Sequence, residues 1–415
     1  MKFLTAALFL ISLGSNSLGA EDPQLAQLFH NFQTSLHEAV SKLQLPENVF
    51  LNISEFLDKY GYPFESHQVT TEDGYILELH RIPATDGDSP KPAVFMIPPL
   101  FCSSIDWVSH GPNASLALLL YDLDYDIWLL NPRGTRYSMK HETLNHTQKE
   151  FWDFSFHEKG YYDMAASIDY IIETTGVKKV TTVGYSEGTA ASMVLPATRS
   201  EYNEKLELIV LLSPVGYMGG VSSPIVVVLT HYITELKALA EYIHLYGIAY
   251  SKWIGELLVG ICTIEGFDTI CASVTDWFVG FDEDQHDLEW LVVLISDKPS
   301  GVSARQLIHF GQEIVNATFR QYDYGSEENL EHYGTSEPPS YNPANITAPV
   351  AAYYSKNDFF VAVEDAEKLL GELPNVADSF LVEFEKFSHL DFIGAKDVKT
   401  LLYDRVLSVI QKYAK

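Results

Sequence analysis

The feature that most constrains this chain lies near its middle. The short run Lys179-Val-Thr-Thr-Val183 passes directly into Gly184-Tyr185-Ser186-Glu187-Gly188, and a helix-forming stretch begins at Thr189. A brief apolar and β-branched run of this kind reads as a strand covered on both faces. Glycine tolerates the backbone angles of a sharp turn, so two glycines flanking a serine allow the chain to reverse abruptly. Such a strand–turn–helix lifts the serine hydroxyl above the edge of a sheet, the setting of a serine nucleophile. Building around this unit requires strands that alternate with helices and pair in parallel.

The rest of the sequence supplies that alternation. Residues 67–71 and 75–80 flank Glu72-Asp73-Gly74, and the second run alternates in period two, which predicts a hairpin. Apolar runs at 93–97, 126–130, 177–185, 206–213, 349–354 and 379–384 predict further strands, with helical patterns between and after them at 113–121, 162–174, 188–195, 363–370 and 398–413. The expected fold class is therefore α/β with a mostly parallel central sheet. Residues 24–45 place apolar side chains at helical spacing (Leu25, Leu28, Phe29, Phe32, Leu36, Val40, Leu43), predicting an amphipathic N-terminal helix. Between 214 and 340 the alternation stops. That stretch is helix-like and aromatic, with Trp253, Phe267, Trp277, Phe278, Phe281 and Trp290, and it ends in the Pro-rich linker Glu337-Pro-Pro-Ser-Tyr-Asn-Pro343. The expected organisation is an N-terminal helical segment at 21–48, a core at 49–213, a helical cap or lid inserted at 214–340, and the remainder of the core at 341–415.

Residues 1–20 indicate the compartment. Lys2 precedes an apolar run at 3–13, then small and polar residues lead to Gly19-Ala20. This is a signal-peptide pattern, too short to cross a bilayer as a stable helix. Entry to the secretory route, towards the cell exterior or the lysosome, gives meaning to the Asn-x-Ser/Thr sequons at Asn52, Asn113, Asn145, Asn316 and Asn345 as glycosylation acceptors. No later stretch reads as a transmembrane segment, since the apolar run at 224–229 soon meets His231, Glu235 and Lys237. The net charge of −29 excludes a nucleic-acid partner, because phosphate binding needs a basic face. Of the three cysteines, Cys262 and Cys271 are spaced to close a short loop, and Cys102 is left over as a buried thiol. No CxxC or His/Cys cluster points to a metal, and no cofactor is expected.

A serine hydroxyl needs a base to take its proton, and that base needs an orienting acid. In folds with this kind of turn the acid follows the serine in the chain and the histidine comes last. Asp358 stands just after the strand expected at 350–354, and His389 stands after the one expected at 379–384. Both fall at carboxyl ends of strands, where sites form in open α/β sheets. Asp391 is a rival acid, but it lies two residues from the histidine and beyond the last strand. Two oxyanion donors complete the set: the N–H of Glu187, next after the serine, and the N–H of Leu100, since Pro98 and Pro99 have none to give.

At these residues the chain resembles the acid lipase family, which includes gastric and lysosomal acid lipases. The resemblance runs from about Asn48 to the C-terminus, through Tyr60-Gly-Tyr-Pro63, Thr71-Glu-Asp-Gly-Tyr-Ile-Leu77, Asn131-Pro-Arg-Gly134, Ser300-Gly-Val-Ser303 and His389-Leu-Asp-Phe-Ile393. It implies an α/β-hydrolase core with a lid-bearing helical cap and hydrolysis, without cofactor, of triacylglycerol or steryl esters at a lipid–water interface. It also implies a Cys262–Cys271 disulfide. Two departures bear on the oxyanion site. The family has His-Gly where this chain has Pro98-Pro99, and Gly-His-Ser-Gln-Gly where this chain has Tyr185 and Glu187 around the serine. A fixed proline φ would redirect the Leu100 N–H, and loss of one oxyanion donor costs about 3–4 kcal/mol. Glu187 would add negative charge where the oxyanion forms. The leading reading is a lipase or esterase; the alternatives are a lipid-binding or storage protein with little catalysis, and a serine peptidase of the same fold.

Overall fold

Strands buried on both faces need helical crossovers, and the structure provides them in turn. It is a computed structural model that describes residues 23–85, 89–264 and 267–414; the expected signal peptide at 1–20 lies outside them. In chain order the strands are β1 (Glu65–Thr70), β2 (Tyr75–Ile82), β3 (Ala93–Ile97), β4 (Asp126–Asn131), β5 (Lys140–His141), β6 (Val180–Tyr185), β7 (Leu206–Leu212), β8 (Gly247–Ala249), β9 (Gly301–Ser303), β10 (Val350–Tyr354) and β11 (Val376–Leu381). The main sheet runs β1-β2-β4-β3-β6-β7-β10-β11, with β5 beside β2, while β8 and β9 form a small ribbon. β1 and β2 are antiparallel, as is β2 against β4, and the pairings from β4 to β11 are parallel.

Every residue of β3, β4, β6 and β10 is buried, which explains their unbroken apolar character. Side chains alternate between the two faces. Phe95, Trp128 and Leu130 meet Met164, Ile168 and Leu195 on one, whereas Met96, Leu129 and Val210 meet Phe56, Leu118 and Tyr403 on the other. The helices of the core are α2 (Ile53–Tyr60), α3 (Leu116–Tyr121), α4 (Ala165–Thr175), α5 (Glu187–Thr198), α13 (Val363–Glu372) and α14 (Asp404–Tyr413). Two elements differ from the sequence pattern. β11 lies three residues earlier than 379–384, because it is a half-exposed edge strand whose apolar signal peaks at its C-terminal end and in the following turn. A π-helical turn, Lys399–Tyr403, occupies the first part of the expected final helix.

Between β7 and β10 the chain forms α6 (Pro224–His231), α7 (Ile233–Tyr242), α8 (Lys252–Cys262), α9 (Asp268–Val279), α10 (Leu288–Ser296), α11 (Ala304–Asn316) and α12 (Ser326–Tyr333). The N-terminal helix α1 (Pro23–Val40) packs on α8 of this insertion. Phe32 meets Trp253 edge-on with ring centroids 6.2 Å apart, and His37 Nδ1 lies 2.7 Å from Glu256 Oε1. The Cys262–Cys271 disulfide joins α8 to α9 with a Cα–Cα distance of 5.7 Å, and Cys102 is a free, buried thiol. Of the sequon asparagines, Asn113, Asn145, Asn316 and Asn345 are exposed and Asn52 is half-buried, where its side chain caps α2.

The segments 71–77 and 131–134 meet in a buried ion cluster. Arg133 donates from Nε to Asp163 Oδ1 (2.7 Å), from Nη1 to Asp73 Oδ2 (2.6 Å) and from Nη2 to Asp73 Oδ1 (2.9 Å). Its guanidinium stacks 4.0 Å from the Tyr75 ring centroid. Gly134 beside it has φ +78°, and a Cβ there would sit 2.5 Å from the Phe154 ring. Removing one partner of a buried ion pair leaves the other charge uncompensated. Arg133→Met is therefore expected to lower unfolding free energy by about 3–5 kcal/mol in urea titration; an unchanged midpoint would contradict this.

Candidate active site

The turn after β6 carries the strain that its sequence foretells. Ser186 has φ 53° and ψ −118°, and its N–H donates to Leu212 O at 3.0 Å. A positive φ at a non-glycine residue costs about 1–3 kcal/mol and persists only where its surroundings enforce it. The neighbours do so. A Cβ on Gly184 would lie 2.5 Å from Gly188 O, and one on Gly188 would lie 2.2 Å from Ile97 O. Only glycine allows α5 to start this close to β3.

The structure brings Ser186, His389 and Asp358 into one hydrogen-bonded line. Ser186 Oγ lies 2.8 Å from His389 Nε2, and His389 Nδ1 lies 2.9 Å from Asp358 Oδ2 and 3.0 Å from Oδ1. Asp358 and His389 are both buried. The carboxylate is surrounded by donors: Oδ1 accepts the N–H groups of Phe360 (2.8 Å) and Val361 (3.1 Å), and Oδ2 accepts the Ser213 hydroxyl (2.6 Å). The histidine loop is held from two sides. Tyr185 donates its hydroxyl to His389 O at 2.6 Å, and His389 N–H donates to Val279 O of the insertion at 3.0 Å. Burial lifts the Tyr185 phenol well above its ordinary range, so it stays a donor.

Asp391, the rival acid, is placed elsewhere. It accepts the Ser388 N–H and faces Asp282 of the insertion, and burial, with Asp282 adding to it, raises its carboxyl to about 8. Asp282 is buried as well, and burial raises its carboxyl too.

The loop carrying Leu100 sits beside the elbow because β3 pairs with β6, Ile97 opposite Gly184. Cys102 N–H donates to Pro99 O (3.3 Å), closing a turn in which Phe101 takes φ 64°. Leu100 N–H sits inside that turn, and neither it nor Glu187 N–H donates to any group among the described residues. Glu187, expected to add negative charge near the oxyanion, has its side chain buried with Lys159 Nζ 3.0 Å from Oε2 and the Gln306 side-chain amide donating to Oε1. Ser213, Lys159 and Gln306 were not legible as site residues, since each is brought in by distant chain with no local pattern. The one signal available was the placement of Ser213 at a carboxyl end of a strand. Among the described residues no cluster of three or more His, Cys, Asp or Glu is arranged to hold a metal ion.

Comparison with known proteins decides the family. A family model described as a partial α/β-hydrolase lipase region matches residues 53–111, and one for the α/β-hydrolase fold matches residues 93–230. Lipase 3 of Drosophila melanogaster is 38% identical over 364 residues, 86% of this chain and 92% of that protein. The human lysosomal acid lipase/cholesteryl ester hydrolase is 33% identical over 88% of this chain and 91% of its own. Human gastric triacylglycerol lipase is 32% identical, with coverage of 88% and 92%. The chain belongs to the acid lipase family. It has the α/β-hydrolase fold, shared with a solved structure from Sulfolobus solfataricus at TM-score 0.53 and 12% identity, over 84% of this chain and 99% of that one. As an acid lipase relative it is a carboxylic ester hydrolase acting on lipid esters.

In this chain the Asp282–Asp391 pair has a pH signature. A carboxyl raised to about 8 when folded keeps a proton that the unfolded chain releases near pH 4. Its stabilising contribution is full below about pH 4 and is lost as pH rises towards 8. Urea midpoints should therefore fall between mildly acidic and neutral pH, and Asp391→Asn should flatten that slope. An identical slope in the variant would count against the raised Asp391 carboxyl.

Proposed function

We propose that the protein enters the secretory route and hydrolyses triacylglycerol or steryl esters through an acyl-enzyme on Ser186. The observation that carries this reading is the 2.8 Å contact between Ser186 Oγ and His389 Nε2 on a strained turn. His389 takes the hydroxyl proton as Oγ attacks the ester carbonyl carbon, then returns it to the departing alcohol. Water, activated by the same nitrogen, then attacks the acyl-enzyme, releasing the fatty acid and restoring the Ser186 hydroxyl. Asp358 orients the imidazole and stabilises its cationic form, and the N–H groups of Leu100 and Glu187 receive the oxyanion.

An ester held in a lipid phase needs an apolar approach to this serine. The insertion, read as the cap, exposes Val228, Tyr242, Ile264, Ile270, Trp277 and Phe281. Trp277 contacts Phe281 at 5.4 Å and Phe281 contacts Phe359 at 5.7 Å, while the next residue along the chain, Phe360, contacts His389 at 4.8 Å. Large apolar side chains left exposed on one segment suit contact with a membrane or lipid surface. No helix among the described residues is long and apolar enough to cross a membrane. The signal-peptide pattern at 1–20 and the gastric and lysosomal relatives support export to the cell exterior or the lysosome, and the exposed sequons support glycosylation there.

A serine-reactive phosphonate should label the wild-type protein, and Ser186→Ala should abolish both labelling and turnover of long-chain triacylglycerol. Asp358→Asn should keep the fold and lower kcat by about 10⁴. Ester turnover that persists in Ser186→Ala would overturn this reading, and a folded wild type that turns over no ester would favour lipid binding without catalysis.

A further inference from the structure

The residue that follows the nucleophile is acidic and buried, at the first position of α5. Its backbone N–H is one of the two oxyanion donors assigned above. A carboxylate there could do harm in two ways. It could oppose the negative charge that develops on the oxyanion, strongly so in a site of low effective dielectric. It could also compete for its own N–H. The structure disposes of both problems through two residues from distant parts of the chain.

Lys159 Nζ lies 3.0 Å from Glu187 Oε2, with both side chains buried. The backbone that carries Lys159 cannot drift from α5, because a Cβ on Gly160 would already lie 2.7 Å from Ala191 O and from Val194 Cβ. On the other side the Gln306 amide donates to Glu187 Oε1. Gln306 is itself fixed: its Oε1 accepts the Ser303 N–H at 3.3 Å, closing a capping box at the start of α11, and Ser303 Oγ donates to Trp152 O at 2.5 Å. Both Glu187 oxygens are thus engaged, one by a cation and one by an amide of the insertion, while the Glu187 N–H stays unclaimed among the described residues.

We propose that Lys159 and Gln306 are positioning residues of the oxyanion site, holding the Glu187 carboxylate neutralised and away from its own N–H. The proposal rests on Ser186 being the nucleophile. It also makes the insertion a working part of the elbow, since Gln306 belongs to α11. Neither residue touches substrate in this scheme; both act through Glu187.

The test is steady-state kinetics on a soluble short-chain ester, from about pH 4 to about pH 8, with the purified full-length protein. Lys159→Met should lower kcat at neutral pH by about 10–100-fold with KM nearly unchanged, because stabilisation is lost only in the transition state. Acidification should shrink the defect as the stranded Glu187 is protonated. Lys159→Met/Glu187→Gln should return kcat to within about threefold of wild type and remove the extra pH dependence. A purely structural lysine would instead lower thermal stability without that kcat-only, acid-relieved pattern. An unchanged kcat in Lys159→Met, or a double variant that folds yet stays as slow as the single, overturns the proposal. Should Lys159→Met fail to fold, Gln306→Leu carries the test: kcat must fall with KM held and return in Gln306→Leu/Glu187→Gln, and an unchanged kcat overturns the proposal. Turnover surviving in Ser186→Ala would instead sink the Ser186 reading, so the two failures are distinguishable.

Discussion

Gly188 approaches the backbone of β3 so closely that a Cβ would stand 2.2 Å from Ile97 O, and Gly184 is as tightly set against Gly188. These two approaches fix where α5 begins relative to the sheet. With α5 fixed, Ser186 has no relaxed alternative to its positive φ, and its N–H is tied across to Leu212 O at the end of β7. The sheet order then places the carboxyl ends of β3, β6, β7 and β10 side by side. The loop with Leu100, the serine, Ser213 and Asp358 follow from those four ends. The strain is local, but it is supported by a sheet in which β3, β4, β6 and β10 are wholly buried.

The insertion is bound to the site rather than resting over it. Val279 O accepts the His389 N–H, Gly280 lies where a Cβ would meet Asn357 O at 2.1 Å, and Gln306 reaches Glu187. Asp282 faces Asp391 two residues beyond the histidine. The N-terminal helix joins this assembly through α8. Disturbing the insertion therefore reaches the histidine and the elbow through named hydrogen bonds.

Much of this was legible in the chain. Ser186, Asp358 and His389 could be picked out because each sits at a strand end in a fixed order, and strand ends are announced by apolar runs that stop abruptly. The disulfide spacing and the buried thiol were legible for similar reasons of local pattern. The register of β11 was not, because an edge strand that is half exposed carries a blurred apolar signal. The rival Asp391 could be discounted by position, but its actual role beside Asp282 could not be foreseen, since Asp282 comes from another part of the chain.

Glu187 shows where the division falls. Its sequence position determined that a carboxylate would stand next to the serine, on the residue whose N–H is the proposed oxyanion donor, because backbone neighbours are set by covalent order. Whether that charge would be exposed, stranded or cancelled was decided only by tertiary structure. Lys159 arrives from 28 residues before it and Gln306 from 119 residues after it, and pairing over such distances leaves no periodic trace in the chain. The sequence by itself determined the strand–turn–helix, the place of Ser186 and the order in which Asp358 and His389 follow it; packing alone decided which side chains surround Glu187 and hold the histidine.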